Sequence, residues 1–253
     1  MRQMFMLALA VFEGFCVYRL FQAFALPRLN QPRRSVVVIG VVWVLYHGVC
    51  LWGNWAFYPS SLWNLAVYLC LLFAAAMVWY QGSVLLKLFL VVQFAAIHEL
   101  SIWAPNSLLA VHSVVIAFLG NGMKHEWLSV SAFMSLISIS NVGLFLSVAV
   151  LREGITYFFI RRIVKAYRFP RRFEKNVLPY LLPAAASILI AVMLRVLMIA
   201  VENNVPVTLY TRYPLIAALI PVLAVILLFS NSFSFELFQK MAAFEEQRTE
   251  KLV

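Results

Sequence analysis

The sequence predicts an all-α fold: a polytopic membrane helix bundle with about seven transmembrane helices, ending in a cytoplasmic amphipathic helix. Hydrophobic residues make up 64% of the 253 residues and charged residues only 12%, whereas soluble domains carry about 25% charged residues. The mean hydropathy is +0.90. The apolar residues also lie in long runs, and a run of about 20 residues can cross the hydrocarbon core of a bilayer as a helix. The lipid bilayer is therefore the first partner that the sequence predicts.

Seven apolar stretches have the length of a spanning helix. They cover residues 4–24, 35–52, 62–80, 84–103, 129–151, 178–201 and 214–235. A further stretch, Leu108–Leu119, is too short to cross the membrane unaided. We expect it to be re-entrant or interfacial, and the alternative is an eighth span.

Two loops concentrate the basic residues, one between the first two spans and one between the fifth and sixth. They carry Arg28, Arg33 and Arg34, and then Arg161, Arg162, Lys165, Arg168, Arg171, Arg172 and Lys175. By the positive-inside rule both loops face the cytoplasm, which places the N-terminus outside and the C-terminus inside. The sequence thus predicts a multi-pass protein of the cell's inner (cytoplasmic) membrane. Because the net charge of +10 resides in loops rather than along one face, we expect no nucleic-acid partner.

Ionisable side chains inside the spans are the candidate ligand-binding residues, because a charge in hydrocarbon is costly and needs a partner. Glu99 and His98 lie near the outer end of span four, Arg195 near that of span six and His47 near that of span two. One interpretation is an outward-facing polar cavity that binds an extracellular ligand. The other is a Glu99–Arg195 ion pair that joins two helices, and both can hold together. Glu13 in span one also needs a partner from another span.

Span five carries small or polar residues at spacings of mostly three, which are Ser131, Ser135, Ser138, Asn141 and Gly143. Small residues at such spacing let membrane helices approach closely, so they predict tight packing against a neighbour. A lining for a polar ligand is the alternative.

Enzyme motifs are missing from the sequence. It contains no G-x-x-x-x-G-K-[ST] phosphate loop and no His/Cys cluster with the spacing of metal ligands,. We therefore assign no catalytic residue, no metal site and no cofactor to this chain.

The composition inverts after span seven, where ELFQKMAAFEEQRTEKLV follows without a Gly or Pro. Leu237, Met241 and Phe244 recur at spacings of four and three, which is the beginning of a heptad seam. We expect residues 1–235 to form a transmembrane sensor domain and residues 236–253 to begin a cytoplasmic signalling or dimerisation helix. A homodimer through this helix follows. The alternative, a helix lying on the membrane surface, is opposed by the acidic residues near its end, since the inner leaflet is anionic.

Several stretches together resemble the sensor region of bacterial GHKL-type histidine kinases. They are FEGFCVYRLFQAF closing span one, LWNLAVYLCLLFAAAMVWYQGSVLLKLFL across spans three and four, the HEL that follows, and the final span with its FEEQR. Peptide receptors of the accessory-gene-regulator type are similar in layout. The resemblance implies an extracellular signal, a secreted peptide in that family, and a cytoplasmic kinase domain or response regulator as the downstream partner. ATP and Mg would belong to a kinase domain that this chain does not contain.

Two functions of different classes follow from these patterns. The first is the membrane-embedded sensor module of a two-component receptor histidine kinase, which relays its signal through the C-terminal helix. The second is a small polytopic transporter or channel subunit with a polar site in the outer third of the membrane.

Overall fold

The computed structural model describes residues 2–25, 40, 62–166, 177–202 and 214–250. Within these ranges the chain forms seven α-helices and no β-strand. They are α1 (Arg2–Phe24), α2 (Leu62–Trp79), α3 (Val84–Trp103), α4 (Ser107–Lys124), α5 (Val130–Ala166), α6 (Leu178–Glu202) and α7 (Pro214–Glu250). A short 3₁₀ turn, Ala104–Asn106, connects α3 to α4. The predicted all-α fold is confirmed for the described residues.

The turn between α2 and α3 depends on two residues that the sequence places at the start of a span. Gly82 has a φ of 112°, a conformation that residues with a Cβ rarely adopt. Ser83 then caps α3, and its hydroxyl accepts a hydrogen bond from the Leu86 amide at 3.1 Å. An N-cap serine satisfies one of the amides that the first turn leaves without a partner. The start of α3 is therefore determined locally.

The helices run in two opposite directions. The contacts Glu13–Tyr68 and Phe21–Tyr80 show that α1 and α2 are parallel. α5 is parallel to α1, as the ring contacts Phe5–Phe145 and Phe12–Tyr157 show. α7 is parallel to α5, because Phe159 contacts Phe229 and Arg162 binds Glu236. α3 runs the other way, because Phe24 of α1 meets Phe89 near the start of α3. α6 packs along α3 and begins at the same end of the bundle.

This end of the bundle, which we call the Phe235 end, is held by aromatic rings from four helices. The Phe235 ring lies 5.8 Å from Phe24, 6.2 Å from Phe89 and 5.3 Å from Tyr180, measured between ring centroids. Aromatic pairs at such distances contribute about 0.5–1.5 kcal/mol each beyond the area that they bury. Phe235 of α7 is thereby locked against α1, α3 and α6.

α3 is the central helix. It packs against α2, α5, α6 and α7, and its side chains are buried nearly all round, including Phe89, Leu90, Phe94 and Leu100. A helix that is apolar on every side has to be surrounded by other helices or by lipid. The apolar character of span four therefore reflects burial inside the protein rather than contact with the membrane.

Three helices in the described part of the chain are long and apolar enough to cross a membrane: Val84–Trp103, Val130–Ala166 and Leu219–Met241. The apolar stretches Leu65–Trp79, Val114–Lys124 and Leu178–Leu194 are shorter. Large apolar side chains also cover the outside of the bundle, as on α1 (Val11), α5 (Ile139), α6 (Leu189) and α7 (Leu219). By length and composition, these helices fit a membrane location. The count of seven spans stays a prediction, and span 35–52 lies outside the described residues apart from Gly40.

α4 and the first half of α5 form an antiparallel hairpin, with His112 of α4 beside Ser140 and Asn141 of α5. α4 thus continues in the direction of α3, and α5 returns. α3 and α5 run in opposite directions, as they would with no crossing between them, so the eighth-span alternative is not supported. The re-entrant or interfacial placement of Leu108–Leu119 stays a prediction.

Two expectations about span five are wrong. The helix does not end near residue 151 but continues to Ala166, because Glu153 and Thr156 are buried in the bundle, whereas Arg161 and Lys165 of the same stretch are exposed. The small and polar residues predicted to pack tightly lie on exposed positions of α5, and of these Asn141 contacts His112 of α4; they are Ser131, Ser135, Ser138, Asn141 and Gly143. Their spacing identifies a face of the helix but not what covers it.

Candidate functional site

Five ionisable or hydroxyl side chains meet inside the bundle, between the Phe235 end and the α4–α5 hairpin. Glu13 comes from α1, Tyr68 from α2, His98 and Glu99 from α3, and Glu153 from α5. We call these residues the polar cluster. All are buried, with Glu13 exposed by 1%, Glu153 by 3% and His98 by 7%. A buried polar cluster in an otherwise apolar bundle requires internal partners for every charge.

Glu13 is placed by the helical periodicity of α1. Ala10, Glu13, Val17 and Leu20 recur at spacings of three and four and are all buried, so they form one face of the helix. Glu13 is the acidic member of that face. The sequence predicted that Glu13 needs a partner from another span, and this prediction is confirmed by the hydrogen bond that the Tyr68 hydroxyl donates to its Oε1 at 2.8 Å.

His98 lies between Glu13 and Glu99. Its Nε2 is 3.3 Å from Glu13 Oε1, and its Nδ1 is 3.9 Å from Glu99 Oε1. The first pair is close enough for electrostatic attraction, but its geometry is not that of a hydrogen bond, and the second distance is too long for one,. Neither ring nitrogen of His98 has a hydrogen-bond partner among the described residues.

The orientation of the His98 ring is set by aromatic stacking. The ring lies 5.7 Å from Tyr68 and 5.9 Å from Phe94, nearly parallel to both, with interplanar angles of 17° and 13°. Flat contacts with two rings restrict rotation of the imidazole about its side-chain torsions. The two nitrogens therefore point in defined directions, toward Glu13 and toward Glu99.

Glu153 is positioned by its neighbour on α5. Arg152 Nε donates a hydrogen bond to Glu153 Oε1 at 2.9 Å, and the guanidinium also forms an ion pair with the same oxygen. The other carboxylate oxygen, Oε2, is buried and has no hydrogen-bond partner among the described residues. Leaving such an oxygen without a partner costs about 1–3 kcal/mol or more for a charged group.

Of the four residues predicted to bind a ligand, the structure places two in the polar cluster, Glu99 and His98. His47 and the side chain of Arg195 lie outside the described residues, so the Glu99–Arg195 pair stays a prediction. The helix that carries Arg195, α6, packs along α3.

Three members of the site were missed from the sequence. Glu153 and its neighbour Arg152 were missed because span five was expected to end at residue 151, which left both outside the predicted spans. The helical spacing of apolar residues continues past residue 151, so following it to its end would have placed both residues on the helix. Tyr68 was missed because a tyrosine in an apolar span carries no signal that separates a hydrogen-bonding role from simple packing.

The predicted signalling residues lie on one exposed face of α7. Leu237 is exposed by 44%, Met241 by 53% and Phe244 by 69%. On another face, Gln239 is buried and donates a hydrogen bond to the Tyr180 hydroxyl of α6. One face of this part of α7 therefore contacts the bundle, whereas the apolar stripe of Leu237, Met241 and Phe244 points away from it.

α5 and α7 are joined near the Phe235 end by an ion pair. Arg162 Nε donates to Glu236 Oε1, and the Arg162 guanidinium lies 5.7 Å from the centre of the Phe229 ring. The two side chains are 31% and 24% exposed. The pair connects the helix that carries Glu153 with the helix that carries the exposed apolar stripe.

Comparison of the chain with protein-family models, with curated proteins and with solved structures found no match.

Proposed function

We propose that this chain is the membrane-embedded sensor module of a two-component receptor histidine kinase. In this proposal it detects an extracellular signal and relays it through α7. The observation that supports it best is the continuity of α7, which spans 37 residues without a break, about 55 Å of helix. One part of α7 packs in the bundle and its last turns present an exposed apolar stripe. A rigid rod of this kind can transmit a rearrangement of the bundle to whatever binds the stripe.

α5 offers a route from the polar cluster to α7. Glu153 belongs to the cluster and Arg162 binds Glu236 of α7, and the two residues lie on one helix about 14 Å apart,. A change in the cluster that shifts or rotates α5 would therefore act on α7 through the ion pair. We propose that the signal selects between two arrangements of α5 and α7 in this way.

In this proposal, the exposed apolar stripe binds α7 of a second copy of this chain. Leu237, Met241 and Phe244 have the spacing of a coiled-coil seam, and all three are exposed in the single chain. The acidic residues Glu245, Glu246 and Glu250 disfavour the alternative of lying on an anionic membrane surface,. A parallel dimer places the same stripe on both partners, as two-fold symmetry requires.

The finer features of this function rest on sequence patterns. The basic loops favour an inner-membrane protein with its N-terminus outside and its C-terminus in the cytoplasm. The resemblance to GHKL-type kinases favours a peptide signal and a cytoplasmic kinase domain or response regulator downstream.

Disulfide crosslinking tests the dimeric signalling helix. In a chain whose three native cysteines are replaced, Met241→Cys and Phe244→Cys should each form a crosslink between two chains in membranes under mild oxidation. Ala243→Cys is the matched control, because it lies on another face of the same turn. The absence of crosslinking at Leu237, Met241 and Phe244, or equal crosslinking at Ala243, would refute the proposal.

A transporter or channel subunit is the second candidate, and the buried polar cluster favours it, because transporters carry their polar sites inside the bundle. The two functions make different predictions for purified protein in liposomes. Movement of a solute or ion across the liposome membrane that depends on Glu13 and His98 would favour transport, especially if the α7 stripe does not crosslink.

A further inference from the structure

We infer that Glu13, His98 and Glu153 form a binding site for one divalent transition-metal ion, with Zn²⁺ as the representative ion. The three residues come from α1, α3 and α5, and each offers one ligand atom. These atoms all lie within 4.8 Å of one another, and all three residues are buried. No sequence motif indicates the site, because its ligands are separated by 85 and 55 residues.

The distances suit a small metal ion after minor side-chain movement. Zn²⁺ binds imidazole nitrogen and carboxylate oxygen at about 2.0–2.2 Å, which places neighbouring ligand atoms of a tetrahedral site about 3.4 Å apart. His98 Nε2 and Glu13 Oε1 are already 3.3 Å apart. Because the remaining separations do not exceed 4.8 Å, rotation of the Glu13 and Glu153 side chains is sufficient to complete the set.

Two of the three residues, His98 and Glu153, offer buried atoms without a hydrogen-bond partner among the described residues, whereas Glu13 Oε1 accepts a hydrogen bond from Tyr68. Both ring nitrogens of His98 and Oε2 of Glu153 are buried and have no hydrogen-bond partner among the described residues. Buried polar atoms in folded proteins are nearly always satisfied by protein, water or an ion. A cation at the centre of the three side chains would satisfy His98 Nε2 and Glu153 Oε2 together.

The surrounding residues orient the ligands as the outer shell of a metal site does. Arg152 binds Glu153 through Oε1 and leaves Oε2 available. Tyr68 donates to Glu13 and stacks on the His98 ring. Glu99 lies on the Nδ1 side of His98 at 3.9 Å, too far to accept the ring N–H. A small movement of the Glu99 side chain toward Nδ1 would give the carboxylate–histidine–metal arrangement that is common in zinc proteins.

The donor set selects the class of ion. An imidazole with two carboxylates suits Zn²⁺, Mn²⁺, Fe²⁺ or Co²⁺, whereas Mg²⁺ and Ca²⁺ prefer sites made only of oxygen ligands. Two carboxylates also supply the negative charge that a dication requires in a medium of low dielectric constant. The remaining coordination position would be open to Tyr68, to water or to an incoming ligand.

None of the three ligands belongs to α7, so metal binding and dimerisation of α7 are tested by separate measurements. A chain that binds no metal can still form the α7 crosslink, and a chain that forms no crosslink can still bind one Zn²⁺.

Metal analysis of the purified 253-residue chain tests the inference. The protein is prepared in detergent with an affinity tag that contains no histidine, equilibrated with Zn²⁺, and then freed of excess metal by gel filtration. Elemental analysis should find about one Zn²⁺ per chain, as expected for one site. Glu13→Gln and His98→Gln should each reduce the bound metal to a small fraction of that value. His112→Gln and His125→Gln, which alter two histidines away from the cluster, should retain it.

A measurement on the unaltered chain keeps the test valid if a variant fails to fold. Co²⁺ should bind with the visible absorption bands of a site of low coordination number, and addition of Zn²⁺ should abolish those bands. The inference is overturned if the unaltered chain binds neither ion stoichiometrically. It is also overturned if folded Glu13→Gln and His98→Gln proteins, judged by helical circular dichroism and gel filtration, bind as much metal as the unaltered chain. In either of these cases the cluster is a hydrogen-bonded network only.

Discussion

Tyr68 is the single residue on which the polar cluster most directly depends. Its hydroxyl donates a hydrogen bond to the Glu13 carboxylate inside the bundle, and its ring stacks on the His98 imidazole. Removing a buried donor to a charged acceptor leaves the acceptor less satisfied at a cost of about 1–3 kcal/mol.

We therefore expect Tyr68→Phe to lower the thermal midpoint of unfolding in detergent, with a loss of stability of about 1–3 kcal/mol. The substitution keeps the ring and its stacking on His98, so the loss reports on the hydroxyl alone. Tyr157→Phe is the matched control, because Tyr157 is only partly buried and packs on Phe12 and Phe15 through its ring. Equal midpoints for Tyr68→Phe and the unaltered protein would contradict the importance of this bond.

At the level of secondary-structure elements, α7 is connected to the bundle in two ways. Phe235 anchors α7 to three other helices by packing, whereas Arg162 and Glu236 connect α7 to α5 by charge. A partly exposed ion pair contributes little to stability, about 0.5–1 kcal/mol at most. Its importance in the proposed function lies in coupling the positions of two helices.

A double-mutant cycle measures that coupling. Arg162→Gln and Glu236→Gln should each have a small effect on stability, and the double variant should be less destabilised than the sum, with a difference of about 0.5–1 kcal/mol. Either single variant should also change the yield of the crosslink at Met241→Cys. Arg161→Gln is the control, since Arg161 is exposed and adjacent in sequence. Strictly additive stabilities together with an unchanged crosslink would show that this pair does not link the two helices.

The orientation of the bundle in the membrane is a property of the whole molecule. α1, α2, α5 and α7 share one direction and α3 and α6 the other, so α1 and α7 run through the bundle in the same direction. The turn between α4 and α5 lies at one end of the molecule, and Arg248 near the end of α7 lies at the other. Both Glu126 in that turn and Arg248 are exposed.

We expect a cysteine at Glu126 to react with a membrane-impermeant maleimide in intact cells. A cysteine at Arg248 should react only after the membrane is permeabilised, because the proposed orientation, with the basic loops facing the cytoplasm, places that end of the molecule inside. The chain without its native cysteines serves as the background control. The opposite labelling pattern would reverse the orientation proposed for the protein.

Most of the secondary structure could be predicted from the sequence, because the length of a spanning helix and its helix propensity depend on one segment of the chain at a time. The starts and ends of α3 and α6 agree with the predicted spans to within one residue, and the helix that follows span seven continues to Glu250 without a break, as expected. α5 departs from this pattern. Hydropathy assigns a polar pair such as Arg152 and Glu153 to water, and it cannot recognise that the two residues pair with each other inside the bundle.

The sequence alone determined the helical class, the apolar helix lengths, the basic loops and the need of Glu13 for a partner, because each follows from composition or local spacing. Tertiary structure decided which side chains meet. Glu13, His98 and Glu153 are far apart in the chain, and only the packing of α1, α3 and α5 brings their ligand atoms within 4.8 Å. Hydropathy measures how one segment partitions between water and lipid, whereas a buried polar site depends on the relative rotation of several helices. That rotation is set by side-chain packing over the whole bundle.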